Sequence, residues 1–236
     1  MGSRRHSHLM LAVLLAVCPT LRLSAQVGHD PNHSPYHDIQ RGGDVRFIVG
    51  YLGGGRGAVP VGISGGPTFG IRYETMLSGA VSFTAGAAYG QTTRRIVDPY
   101  VAKAVRTSRL IDCDVVLADL ALQLSLTGAK SWHGFSPYLN GGMGIAVGSE
   151  LASDSSQYTF GTKFAPEVGA GFRFYPIGIR RLSFQADIRA VYWRLQYPLS
   201  FKLASPADGT VVLPVTAPDA QWTRHSWISI GVGWNF

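Results

Sequence analysis

Eight charged residues of this chain occupy positions where small polar side chains alternate with large apolar ones. Alternate side chains of a β-strand point to opposite faces, so all eight share the less apolar face of their strands. Isolated buried charges are very costly, so on an internal face these groups must pair. We expect a salt-bridged network that fills an interior, and the alternative is a lining that selects small solutes. The residues are Arg46, Arg72, Arg173, Arg189, Glu74, Asp119, Glu167 and Asp187.

A second cationic set lies in one stretch between two of the predicted strands. The planar guanidinium group suits phosphate, because it donates two parallel hydrogen bonds. We hypothesise that this stretch contacts phosphate groups, and the alternative is a basic loop that is only solvated. The set is Arg94, Arg95, Lys103, Arg106 and Arg109.

Three histidines near the N-terminus have a spacing that could ligate a metal ion. His29, His33 and His37 are four residues apart and would share one face of a helix. Pro31 and Pro35 interrupt any such helix. We therefore expect a solvated segment and no metal.

Nucleophilic catalysis has weak support in the sequence. His225 and Ser226 are adjacent, and neighbours on a strand point to opposite faces, so they cannot pair directly. Cys113 lies between two aspartates, which should raise the pKa of its thiol and lower its reactivity. We expect no enzyme activity and no cofactor.

The elements that must position these residues begin after a leader. Arg4 and Arg5 precede an apolar run over residues 9–18, and small residues end the leader at Ala25. That order predicts a secretory signal peptide over residues 1–25. We expect a periplasmic N-terminal segment over residues 26–43 and a single β-barrel over residues 44–236.

Composition narrows the class of protein further. Only 15% of the 236 residues are charged and 29 are glycine, whereas soluble domains carry about 25% charged residues. The longest apolar run is shorter than the roughly 20 residues that a membrane-spanning helix needs. The net charge of +7 would suggest nucleic acid in a cytosolic protein, but in an exported chain it favours anionic lipid surfaces.

Period-two alternation predicts eight strands joined by alternating short and long links. Antiparallel neighbours joined in this way form an up-and-down barrel. The expected fold is all-β, an eight-stranded antiparallel up-and-down transmembrane β-barrel. The predicted strands cover residues 45–52, 68–76, 80–91, 110–126, 138–147, 164–174, 182–193 and 228–236.

The composition of the two strand faces decides which face is outside. A soluble barrel of the lipocalin kind would show a face rich in Lys and Glu to water. Here the less apolar face is mainly Gly, Ser, Ala and Thr, which suits a narrow interior. Aromatic residues gather near strand ends, as in the interfacial girdles of membrane barrels. We therefore expect the apolar face to meet lipid.

The chain resembles the small eight-stranded outer-membrane β-barrels of Gram-negative bacteria, the OmpA/OmpX type. The resemblance rests on the leader, on the eight alternating strands and on the ending Gly231-Val232-Gly233-Trp234-Asn235-Phe236. The resemblance implies an outer-membrane location. It also implies that Trp234 and Phe236 belong to a terminal signal that the barrel-assembly machinery recognises. The basic stretch after the third strand would then be extracellular, beside the phosphates of lipopolysaccharide.

The function expected from these observations is that of a non-enzymatic integral outer-membrane protein with a structural or surface-interaction role. The alternatives are a narrow solute pore and, less favoured, a lipid A-modifying enzyme. The segment His225-Ser226-Trp227 lacks the His-x-Ser-Asn pattern of lipid A deacylases. The expected partners are outer-membrane lipid, lipopolysaccharide and the barrel-assembly machinery, with no nucleic acid. No particular oligomeric state is indicated.

Overall fold

Eight strands close into one antiparallel barrel in the computed structural model, which describes residues 34–39, 42–55, 57–149, 156–176 and 181–236. The barrel strands are β1 Gly43–Gly53, β2 Gly65–Ser78, β3 Val81–Gly90, β4 Val115–Ser125, β5 Phe135–Gly148, β6 Thr162–Phe174, β7 Leu182–Gln196 and β8 Ala220–Asn235. Within these ranges, no helix has the length and apolar character needed to cross a bilayer.

Each barrel strand pairs with the next one along the chain, and the last pairs with the first. The β8–β1 ladder runs from Trp227↔Leu52 to Asn235↔Asp44. These eight ladders close the barrel, and closure is the condition for a β-structure to span a membrane. The predicted fold is confirmed.

The two rims of the barrel differ. At the terminal rim, where β1 begins and β8 ends, the strands are joined by short connections over residues 79–80, 126–134 and 175–181. At the opposite rim, the loop rim, the connections cover residues 54–64, 91–114, 149–161 and 197–219, which we call loops 1 to 4. This alternation matches the one expected from the sequence. In outer-membrane barrels the short turns are periplasmic and the longer loops extracellular.

Large apolar side chains cover the outer face of the barrel wall. Phe47, Ile71, Leu120, Ile188 and Ile230 are each more than half exposed. Their strand neighbours on either side point inward and are buried or are small. A band of this kind would be unstable in water, and lipid covers it in a membrane.

The fourth predicted strand, residues 110–126, begins too early, because the barrel strand starts at Val115. Residues Thr107–Asp112 form a strand that pairs with Thr93–Val97 in a separate two-stranded sheet within loop 2. Cys113 and Asp114 belong to neither strand, and Cys113 is fully buried. The irregular alternation in this segment marks the point where the loop hairpin ends and the barrel wall begins.

A short strand also precedes the barrel. Tyr36–Asp38 pairs antiparallel with Lys130–Trp132 in the connection between β4 and β5. This part of the N-terminal segment is therefore attached to the terminal rim. His37 lies in this strand, while His29 and His33, like the predicted signal peptide, fall outside the described residues.

Candidate functional site

The half of the lumen nearer the terminal rim holds the charged residues, which we call the charged layer. Each of the eight residues expected there is at most 6% exposed, and all of them point into the barrel. A ninth member, Asp44, was not among those expected. The charged layer consists of Arg46, Arg72, Arg173, Arg189, Asp44, Glu74, Asp119, Glu167 and Asp187.

The part of the charged layer closest to the terminal rim is built around Glu74. The guanidinium of Arg173 donates to both carboxylate oxygens of Glu74, with Nη1 2.6 Å from Oε1. Nη2 of Arg46 lies 3.7 Å from Oε2 of the same carboxylate, and Arg46 also contacts Asp44. Bidentate pairing fixes the planar group and satisfies two of its donors, which offsets part of the cost of burial.

The deeper part of the charged layer is built around Arg189. Its Nη1 is 3.1 Å from Oδ1 of Asp119 and contacts Glu167, and its Nη2 is 3.5 Å from Oδ2 of Asp187. Arg72 connects two of these acids, with Nη1 3.3 Å from Asp187 and Nη2 3.7 Å from Asp119. Each guanidinium thus lies between carboxylates, which is the pairing that a low-dielectric interior requires.

Neutral side chains join the two parts of the charged layer. The Gln185 side chain accepts from Arg46 and donates to Asp187, with Nε2 2.5 Å from Oδ2. The hydroxyls of Tyr138 and Ser229 donate to Asp187 at 3.1 and 2.7 Å. The layer is therefore one connected network.

Inward-facing glycines make room for these long side chains. A Cβ added at Gly86 would lie 2.4 Å from Oδ2 of Asp119, and one added at Gly171 would lie 2.5 Å from the Tyr138 hydroxyl. These distances are well inside van der Waals contact. Part of the glycine excess in the sequence is thus explained by the space that the charged layer occupies.

The half of the lumen nearer the loop rim is mainly apolar, and we call its apolar residues the apolar plug. All four loops fold inward and contribute buried side chains to it, and they pack on apolar residues of the strands in one cluster. The plug comprises Leu52, Val59, Val61, Ile63, Val97, Tyr158, Phe160, Trp193, Leu195, Tyr197, Phe201, Leu213 and Trp227.

Aromatic rings at the centre of the apolar plug connect it to the barrel wall. Trp193 stacks on the His225 ring with centroids 3.6 Å apart, and Phe160 meets Trp193 edge-on at 5.7 Å. Trp227 lies at the boundary with the charged layer, where its Nε1 donates to Thr68 at 3.0 Å. The guanidinium of Arg72 lies 5.5 Å from the Trp227 ring, within the range of a cation–π contact.

Comparison with known proteins gives likeness in structure only. No family model and no curated protein sequence matches the chain. The outer membrane protein OprG from Pseudomonas aeruginosa superposes with a TM-score of 0.50 at 17% identity, over 84% of this chain and 99% of that one. Neisserial surface protein A gives 0.47 at 15% identity, over 82% and 97%. The outer membrane enzyme PagL gives 0.37 at 13% identity, over 80% and 97%.

The chain has the fold of the small eight-stranded outer-membrane β-barrels. This likeness and the exposed apolar band around the wall agree on the location. The protein is an integral outer-membrane β-barrel.

Two cations of the basic stretch are used inside the protein. Nη2 of Arg94 donates to the Tyr158 carbonyl at 3.3 Å, and its guanidinium lies 5.3 Å from the Tyr158 ring. Arg106 is 6% exposed and donates to the carbonyls of Val211 and Thr210 at 3.0 and 3.2 Å. Both guanidinium groups therefore hold loops together and do not face the membrane surface.

The other members of the basic stretch differ in position. Arg95 is half-buried and Lys103 is exposed, while the Arg109 side chain lies outside the described part of the structure. The backbone N–H of Lys103 donates to Oδ2 of Asp208 at 2.7 Å, which links loop 2 to loop 4. Arg95 and Lys103 are the described cations for which contact with lipopolysaccharide stays a prediction.

The candidate catalytic groups are apart. His225 is fully buried against Trp193, and one ring nitrogen, Nδ1, lies 3.2 Å from the Gly53 carbonyl. Ser226 is exposed on the opposite face of β8. The Cys113 thiol is fully buried.

The proposed assembly signal lies on the outside of the terminal rim. Trp234 and Phe236 are 53% and 66% exposed, and Phe236 exchanges two backbone hydrogen bonds of 2.9 Å with Gly43. Arg181 lies 5.9 Å from the Trp234 ring. The last strand is thus paired along its end, and its outward stripe is open to contact. A role for these rings in assembly stays a prediction.

Proposed function

We propose that this outer-membrane β-barrel is non-enzymatic and has a closed lumen, and that it acts as a structural or surface-interaction protein. The observation that carries the proposal is the filling of the lumen by two successive layers. The charged layer occupies the half near the terminal rim, and the apolar plug occupies the half near the loop rim.

Each layer is by itself a barrier to solutes. Eight strands leave an interior just wide enough for side chains. In the charged layer, four guanidinium groups lie between five carboxylates, so a passing ion would have to break ion pairs in a low-dielectric space. In the apolar plug, fully buried rings such as Trp193 and Phe201 occupy the space near the loop rim at the packing density of a protein core.

The positions of the candidate nucleophiles support a non-enzymatic role. Catalysis on lipid would need a nucleophile and a base within hydrogen-bond reach of one another. Ser226 faces outward and His225 faces the apolar plug, so the barrel wall separates them. The Thr223 hydroxyl, 2.9 Å from Nε2 of His225, is buried in the lumen with that ring and does not face the membrane.

Planar-bilayer recording tests the closed lumen. We expect the wild-type protein, folded from detergent into bilayers, to show no stepwise conductance in salt at which a general porin conducts. Variants that weaken one layer alone should also stay closed, because the other layer remains. Arg72→Ser with Arg189→Ser weakens the charged layer, and Trp193→Ala with Phe201→Ala weakens the apolar plug. Stepwise conductance by the wild type would contradict the proposal and support the pore alternative.

Mass spectrometry of lipid A tests the non-enzymatic part. Overexpression in a Gram-negative host should leave the acyl chains and phosphates of lipid A unchanged relative to a strain that overexpresses His225→Ala. A lipid A species that appears with the wild type and is absent with the variant would show enzyme activity.

A further inference from the structure

The barrel wall has a seam at the loop rim between β6 and β7. Their ladder ends at Glu167↔Val191, so in the described part of the chain residues 162–166 and 192–196 have no ladder partner across the seam. On their other edges the same residues pair with β5 and β8, from Thr162↔Val147 to Pro166↔Met143 and from Tyr192↔Arg224 to Gln196↔Ala220. The two hairpins therefore diverge above Glu167.

Pro166 is the first residue of β6 beyond the last ladder pair. Proline has no backbone N–H to donate, so within sheets it occurs at edges and irregularities. The sequence thus contributes to ending the ladder here. The backbone groups left on the two facing edges need other hydrogen-bond partners, because lipid supplies none.

A cavity of about 540 Å³ lies at this seam. Its walls come from loops 3 and 4, from the start of β6, from the end of β7 and from the beginning of β8. Polar groups dominate the lining, which includes Lys163, Arg194, Gln196 and Asp219. The space exceeds what a single water molecule or ion would fill.

The electrostatics of the cavity favour an anion. Lys163 is half-buried on the inward face of β6, with Nζ 5.9 Å from the Phe160 ring, and Arg194 is exposed on the outer face of β7. The two cations thus reach the cavity from opposite sides of the open seam. The acid of the lining, Asp219, is ion-paired with Lys202, which cancels its charge locally. Two cations therefore remain without a neutralising carboxylate in the described part of the structure.

The outer surface beside the cavity has the composition of a membrane–water interface. On β8 the outward apolar stripe ends at Ile228, and the next outward residues are Ser226 and Arg224. Arg224 lies opposite Tyr192 in the β7–β8 ladder, and Trp222 lies opposite Arg194. Trp222 is 55% exposed. Trp and Tyr concentrate at the level of lipid headgroups. The seam therefore opens at headgroup level at the extracellular side.

We propose that the seam between β6 and β7 binds the phosphorylated headgroup of an outer-leaflet lipid, with Lys163 and Arg194 contacting its phosphate. Arg224, the diagonal neighbour of Arg194 on β8, adds a third positive charge at the same level. The unpaired backbone edges donate to the sugar and phosphate oxygens. The proposal deepens the surface-interaction role, and it places the lipid contact on the barrel wall, away from the basic stretch of loop 2.

Lipid retention in nanodiscs tests this site. The full mature protein is folded into phosphatidylcholine nanodiscs doped with bisphosphorylated lipid A, and native mass spectrometry measures the lipid A that stays bound. We expect the Lys163→Gln, Arg194→Gln variant to bind about a hundredfold more weakly, about tenfold for each lost charge-assisted hydrogen bond. Heat-modifiable migration on gels verifies folding, and Arg194→Gln alone serves if the double variant folds poorly.

Lys130→Gln with Arg181→Gln is the matched control, because it removes the same net charge from exposed positions at the terminal rim. This control should bind lipid A as the wild type does. Equal retention by the seam variant and the wild type would overturn the proposal, as would equal losses in the seam variant and the control. Full retention of dephosphorylated lipid A would overturn the assignment of phosphate, and displacement by millimolar inorganic phosphate would overturn the assignment to a lipid. A barrel that conducts would still bind lipid A, so this test and the conductance test fail separately.

Discussion

The two halves of the lumen are filled by different means. The charged layer is made entirely by side chains of the barrel strands, and each of its members is placed by the alternation of its own strand. The apolar plug combines side chains of the strands with side chains of loops 1 to 4, which fold back over the rim. In the charged layer the wall residues fill the lumen by themselves, because their charges pair across it. Nearer the loop rim, the loops complete the core.

Substitutions in the two layers should also destabilise the protein in different ways. Removing one charge from the charged layer leaves its partners buried and unpaired, and that cost falls on the barrel wall itself. Removing a ring from the apolar plug leaves a cavity, whose cost depends on how far the loops can collapse into it. The difference can be measured.

The largest effect is expected from Arg189→Met. The substitution keeps much of the side-chain volume but leaves Asp119, Glu167 and Asp187 without their shared cation. We expect a loss of about 3–5 kcal/mol in the free energy of unfolding, measured by urea titration in detergent micelles. The same range applies to Arg173→Ala.

A paired replacement sharpens this result. Arg173→Met together with Glu74→Leu removes both members of the bidentate pair, so it should cost less than Arg173→Met alone. A double variant that loses as much as the sum of the two single variants would show that the charges act independently.

The next largest effect is expected from Phe201→Ala in loop 4. Phe201 is fully buried in the apolar plug, and truncating a buried phenylalanine costs about 3 kcal/mol. Because no charge is involved, the loss should be independent of salt. Limited proteolysis should detect cleavage in loop 4 before the barrel unfolds.

Leu199→Ala is the control for Phe201→Ala. Leu199 belongs to the same short 3-10 helix, Leu199–Lys202, and is 74% exposed. Its truncation should leave the proteolysis rate unchanged. If the two variants behaved alike, loop 4 would not depend on packing into the lumen.

A smaller effect is expected from Gly171→Ala, which tests the space around the charged layer. The new Cβ would lie 2.5 Å from the Tyr138 hydroxyl and 2.6 Å from the Ala186 carbonyl. We expect a loss of about 1–3 kcal/mol from overpacking, measured by the urea midpoint. Gly141→Ala is the matched control on β5, since a Cβ there meets no atom within 4 Å. Equal midpoints for both variants would contradict tight packing.

The smallest effect concerns the contact between loops 2 and 4. Hydrogen bonds from Thr210 and from the Lys103 backbone N–H, with the nearby Arg106, lower the pKa of Asp208 to about 2. A lowered carboxyl pKa stabilises the contact above the unfolded value of about 4 and ceases to do so as pH falls through about 2. The amide resonance of Lys103 should therefore shift between pH 4 and 2. Asp208→Asn should abolish that shift, and a shift that persists in the variant would have another source.

Alternation in the sequence is sufficient to place most of the charged layer. Eight of its nine residues follow from the parity of their strands, since a strand points alternate residues inward wherever it lies in the barrel. Asp44 is two residues before Arg46 and points to the same face of β1. It was missed because the first strand was predicted to begin at residue 45, whereas it begins at Gly43. Parity carries no information on which arginine meets which acid, because that depends on pairing across the lumen.

The apolar plug and the use of the loop cations were decided by tertiary structure alone. Nothing in the local pattern around Phe201 or Tyr158 indicates that loops 3 and 4 fold into the barrel. A charged arginine in a loop is normally expected at the surface. The Arg106 guanidinium instead donates hydrogen bonds to carbonyls of loop 4, about a hundred residues away in sequence. Such contacts depend on which loops become neighbours once the barrel has closed.

The sequence by itself determined the membrane barrel, its eight strands and the face that meets lipid, because these follow from side-chain alternation that repeats along each strand. Tertiary structure decided how the lumen is closed at the loop rim and which groups face each other across the β6–β7 seam. Both depend on long-range packing, in which residues distant in sequence compete for the same space and the same hydrogen-bond partners.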